Sequence, residues 1–177
     1  MKQILAASMA LLLCGCSAVY SPHPVGTTPA NIQPYEWEGT WLHSDGTFTV
    51  KVLDGSNGVL KIGWVGTEPH DLKYESTKIF LREGGGWTFA SLEIADASNS
   101  TRYIWGKIAK NKNQVVVWGP DLAAFKTVVE NDEIPGVVEG GDVHLGELTQ
   151  QHIEFITAET NGLLQWDEPI AFIKLVP

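Results

Sequence analysis

Between Gly46 and Leu53 the chain alternates without a break. Phe48, Val50 and Val52 fall on one side, Thr47, Thr49 and Lys51 on the other. A period of two is that of a strand with one buried face. The signature recurs along the chain. Leu60, Ile62 and Trp64 share one face of Val59–Val65, and Asp54 to Gly58 supplies the turn before it. A loop around Pro69 precedes a strand over Leu72–Arg82, interrupted near Glu75-Ser76. Gly84-Gly85-Gly86 turns the chain into Trp87–Ile94, and the small, polar stretch from Ala95 to Ser100 is a loop. In Thr101–Lys110, Tyr103 and Trp105 oppose Ile104, Gly106 and Ile108. Asn111-Lys112-Asn113 then returns the chain through Gln114–Trp118. Turns this short join antiparallel neighbours, because a parallel crossover needs a dozen residues or more.

After Trp118 the period changes. Asp121 is placed to cap a helix carrying Leu122, Phe125, Val128 and Val129, which ends before Pro135-Gly136. Residues 137–146 read as loop with one short strand. Thr149 caps a second helix, with Leu148 and Ile153 spaced as a hydrophobic staple and Asn161-Gly162 as its stop. A last strand, Ile170 to Val176, is apolar on both faces. Such a strand belongs between neighbours, one face to the core and one under cover, for which the two helices are the candidates. The expected fold is therefore mainly β with two short helices: a small antiparallel up-and-down barrel. Its last strand would lie beside the first, Gly39–Leu42, so that no edge remains.

The N-terminus has a different character. Lys2 is followed by an apolar run from Ile4 to Leu13, too short to span a bilayer, and then by Cys14-Gly15-Cys16. Leu13, Gly15 and Cys16 resemble the lipobox of bacterial lipoprotein signal peptides, with Cys14 standing where Ala, Ser or Thr is commoner. The resemblance implies that the signal, residues 1–15, is cut before Cys16. It also implies that the Cys16 thiol carries a diacylglyceryl group and that its new amine is acylated. With Cys16 consumed and Cys14 removed, the mature chain has no thiol for a disulfide, a metal or a nucleophile. Ser17 directly after the anchor implies, by the same resemblance, the outer membrane, with the domain facing the periplasm. Residues 16–36 contain Pro22, Pro24, Pro29 and Pro34 among small and polar residues, the composition of a flexible tether. The domain is thus expected over residues 37–177.

Charge is unevenly spread. The net charge is −9, and from Thr127 onward Lys174 stands alone against ten acids. An acidic surface repels phosphate backbones, which argues against nucleic acid as a partner. It provides a solvated face or a docking surface for a basic partner.

Gly39-Thr40-Trp41 resembles the G-x-W of lipocalins, which closes the barrel floor on the first strand. The last arginine is Arg102, so the late arginine that packs on the lipocalin tryptophan has no counterpart. Trp41, Trp64, Trp87, Trp105 and Trp118 lie in different strands; several of them turned inward would line a pocket for a small apolar or sugar ligand, with Trp41, Trp64 and Trp105 the first candidates, and the alternative is that they fill the barrel. His43-Ser44-Asp45 gathers triad-type residues in a turn too tight to align them. No dinucleotide, P-loop, zincin or nucleophile-elbow motif occurs, and the histidines show no ligand spacing. No cofactor or metal is expected. Three readings follow: a non-catalytic barrel bound to the membrane by its lipid and binding a small apolar ligand or an envelope protein; an assembly lipoprotein acting through its acidic surface; and, with least support, an enzyme.

Overall fold

The computed structural model describes residues 17–67, 72–95 and 101–175. The lipobox with Cys16, the loop around Pro69 and most of the loop before Thr101 lie outside the described residues. Seven consecutive strands form an antiparallel meander: β3 (Gly39–His43), β4 (Gly46–Asp54), β5 (Val59–Thr67), β6 (Leu72–Gly84), β7 (Trp87–Ala95), β8 (Thr101–Asn111) and β9 (Gln114–Trp118). The last strand, β12 (Ile170–Lys174), inserts between the two ends. Ile173 and Lys174 pair with Leu42 and Trp41 of β3, and Ile170 to Ile173 pair with Val117 to Gln114 of β9. With β8 paired to β9, eight strands close into a barrel. The closing role expected of the last strand is the one it has.

The inner face carries the alternating apolar residues. Trp41, Val50, Leu60, Ile62, Leu81, Ile108 and Val115 are buried there, with Phe48, Trp64, Leu92, Val117 and Phe172 packed against them. A short helix, α1 (Pro34–Trp37), lies at one end of the barrel. Pro34 opens it, and Trp37 turns inward so that its carbonyl accepts from Trp41 Nε1 at 2.8 Å. In the turn after β4, the Asp54 carboxylate accepts from Asn57 Nδ2 and Ser56 Oγ, both at 2.7 Å, and from the backbone N–H groups of both residues. Those bonds, the Asn57 amide first, hold its pKa below the usual carboxylate value.

A second layer covers the outside of β7 and β8. It contains α2 (Leu122–Glu130), whose Asp121 cap accepts from Ala124 N–H at 2.8 Å, and α3 (Gln150–Thr157), capped by Thr149. In α3 the returning arm of the capping box is His152, whose Nδ1 accepts from Thr149 N–H at 3.1 Å. Phe125, Val129, Ile153 and Ile156 bury themselves against Phe89 and Trp105.

Several expectations are corrected. Residues 17–36 are no tether. Strand β1 (Val19–Ser21) pairs with β8, and β2 (Thr28–Pro29) pairs with β6. Val19, Val25, Ala30 and Ile32 are buried. Val25 N–H donates to the fully buried Ser91 Oγ at 3.0 Å, Ala30 N–H to Leu81 O at 3.0 Å, and Ile32 N–H to Gly55 O at 2.9 Å. Gly58, at φ +64°, leaves room for this: a Cβ there would meet Leu81 O at 2.4 Å and Ala30 O at 2.9 Å. Residues from Ala18 on are therefore part of the fold, not only those from residue 37. The helices number three among the described residues, not two, because α1 forms inside the supposed tether. Strand β6 runs unbroken through Glu75-Ser76, paired to β5 at every residue from Leu72 to Phe80. Residues 136–145 make a hairpin of β10 (Gly136–Glu139) and β11 (Asp142–Leu145), turned by Gly140 and Gly141 at φ +59° and +98°. Strand β11 pairs in parallel with β1, so β10, β11 and β1 extend the sheet sideways from β8. The helices do not cover the last strand: Ile173 is 51% exposed and faces out beside Leu42.

Candidate functional site

The three tryptophans singled out as pocket-lining do not converge. Trp41 is 2% exposed near α1. Trp64 is half-buried in the same inner cluster, toward the end of β5 remote from α1. Trp105 points the other way, out of the barrel, wedged edge-on between Phe89 and Phe125 at ring distances of 5.9 and 5.5 Å. Parity along β8 is the reason: Ile104, Gly106 and Ile108 take the inner face, so Trp105 takes the outer. Its buried Nε1 has no hydrogen-bond partner among the described residues.

Two clefts among the described residues also lie outside the barrel. One, of about 400 Å³, runs between Pro22–Gly26 and Gly146–Leu148; the other, of about 410 Å³, lies between Thr27-Thr28 and residues 83–88. Neither is lined by the inner cluster. At the far end of the barrel, Ser44 Oγ sits 3.4 Å from both Nδ1 and Nε2 of His43, so it lies over the ring and off the lone-pair axis of either nitrogen. Asp45 Oδ2 lies 3.3 Å from Nδ1, but the Asp45 N–H donates to that same atom at 3.4 Å, so with Ser44 off axis no serine–histidine–carboxylate relay forms. No group of three metal-ligating side chains occurs among the described residues. On the outer face of β8, burial and the neighbouring Glu93 push the Tyr103 phenol up.

The densest chemical constellation is one the sequence did not announce. The Lys107 ammonium on the outer face of β8 lies over three indoles: Trp87 at 4.2 Å, Trp166 at 4.5 Å and Trp118 at 5.1 Å. Trp87 and Trp118 come from the strands flanking Lys107. Trp166 arrives on the segment after α3, which is tied down where Asp121 N–H donates to Leu163 O and Gln165 N–H donates to Gly119 O, both at 2.9 Å. Trp166 meets Trp87 edge-on at 5.5 Å. A cage of indoles recognises cations, and here the cation is the protein's own. Its effect is to hold the approach to β12 against the barrel wall. We expect Lys107→Met, which keeps the apolar stem and loses the charge, to cost about 1 kcal/mol in urea unfolding. An unchanged midpoint would show that the ammonium is not held.

No helix among the described residues is long and apolar enough to cross a membrane. Compared with protein-family models, curated proteins and solved structures, the chain has no significant match.

Proposed function

We propose that this chain is an outer-membrane lipoprotein, anchored through Cys16, whose barrel is a non-catalytic scaffold that engages an envelope partner through its outer surface. The observation that carries the reading is the burial of the barrel's inner face. Trp41, Leu60 and Leu81, each 2% exposed or less, stand where a carrier barrel would hold its ligand, and the two clefts described above lie outside. The acidic C-terminal third supports a surface role. Nine of its ten acids are exposed, and among the described residues only Glu147 is in an ion pair, with His23 at 2.9 Å. Carboxylates left free in this way suit a basic partner.

Native mass spectrometry of the protein extracted from its own membrane tests this. The expected species is a chain starting at Cys16, with the added mass of its acyl groups and no further small molecule. A retained apolar compound would return the carrier reading. Cys16→Ala should stay unprocessed or appear in the soluble fraction; correct processing of that variant would overturn the anchor.

A further inference from the structure

We propose that β10, with Val137 and Val138, rests on the bilayer surface, so that the domain lies against the membrane instead of standing off it. This deepens the reading above and rests on lipidation of Cys16. The chain is fixed in the sheet from Ala18 on. Ala18 N–H donates to Asp142 Oδ1 at 2.9 Å, and Val143 N–H donates to Ala18 O at 2.9 Å. Val19 and Val143 pair in register and are 3% and 0% exposed. Ser17 packs on Gly141, where an added Cβ would meet its Oγ at 2.8 Å. One residue therefore separates Cys16 from an atom fixed in the sheet. Two residues span about 7 Å at most. Acyl chains on Cys16 must lie in the hydrocarbon, which draws the corner formed by Ala18 and Asp142 down to the headgroups. From β1, strand β10 is two ladder steps away through β11, about 10 Å.

What that corner presents suits an interface. All four residues of β10 are exposed, Val137 at 58% and Val138 at 37%. Its outer edge pairs with no other strand among the described residues. On the Val137 side, His144 stacks on Tyr20 at 5.3 Å, and the Arg102 guanidinium lies 4.0 Å over the Tyr20 ring. Tyrosine and arginine are residues that settle at the boundary between hydrocarbon and water. The hairpin's own charges are Glu139 and Asp142, the latter taken by Ala18 N–H. With no lysine in the hairpin, the contact is apolar and needs no anionic lipid.

The test uses the mature protein in vesicles of phosphatidylcholine and phosphatidylethanolamine with brominated acyl chains. A polarity-sensitive fluorophore is attached at Val137→Cys, on the face of His144 and Tyr20, or, as control, at Lys51→Cys, exposed on β4 across the barrel. Intact mass first establishes the acylation of Cys16. The expected result is a blue shift and loss of emission at position 137, with the probe at position 51 unaffected. Acylated protein whose probe at 137 stays unquenched, or whose two probes are quenched alike, overturns the membrane-facing edge and leaves the anchor standing. An unmodified Cys16 overturns both.

Discussion

Ending the chain at Pro169 is expected to abolish cooperative folding. The deleted strand β12 is the piece that closes the barrel, since β3 and β9 each pair with it and not with each other. Its removal opens two strand edges at once, exposing unpaired N–H and C=O groups on both. It also takes away Phe172, which packs edge-on against Phe48 at 5.4 Å and beside His43 at 5.1 Å, and Ile170 opposite Val117. Lys174 goes as well, with its bond from Nζ to Tyr35 O at 2.8 Å that ties α1 to the barrel end. Each buried apolar side chain is worth about 1.5–3 kcal/mol. A domain of this kind has about 5–15 kcal/mol in all. Circular dichroism and urea melts decide the matter: a cooperative transition near the full-length midpoint would mean that the seven-strand meander closes by itself and β12 is an appendage.

The strands were legible because their faces differ. The alternation of Phe48, Val50 and Val52 with threonine and lysine marks one side as core, and the turns between strands dictate the antiparallel order. The caps at Asp121 and Thr149 were legible for a local reason, since each helix start satisfies its own N–H groups nearby. The second layer was not. Strand β8 is apolar on both faces, and periodicity cannot say which face looks inward; that depends on α2 packing on Phe89 and Trp105 from far along the chain. The cage around Lys107 needs the register of three strands and the position of the segment after α3, neither of which is a local property. Residues 17–36 mislead because proline-rich composition commonly marks a solvated chain. Here Pro34 opens α1, and Pro29 sits in a two-residue strand at the side of β6, both positions that tolerate a missing N–H. The four buried apolar residues of that segment are too sparse to show a period.

The packing of residues 18–32 against the barrel carries the second large effect. Deleting residues 18–32 from the protein is expected to lower the melting midpoint by about 10 °C or more, or to remove the transition altogether. A tether of the same composition would leave it unchanged. The deletion strips β11 of its parallel partner and uncovers β8 at Tyr103 and Ile104. It removes Val19, Val25 and Ile32, each under 10% exposed, at about 1.5–3 kcal/mol apiece. It also leaves Ser91, fully buried on the outer face of β7, without the N–H of Val25. For a domain of this size each kcal/mol shifts the midpoint by about 2–4 °C. A milder variant keeps the test sharp if the deletion fails to fold. Ser91→Ala retains the chain but leaves the buried Val25 N–H without its acceptor, a loss of about 1–3 kcal/mol. Thermal melts of Ser91→Ala should therefore fall by several degrees. A midpoint equal to that of the unaltered protein would mean that residues 18–32 come away from the barrel in solution, and the close approach to the membrane inferred from Ala18 would go with it.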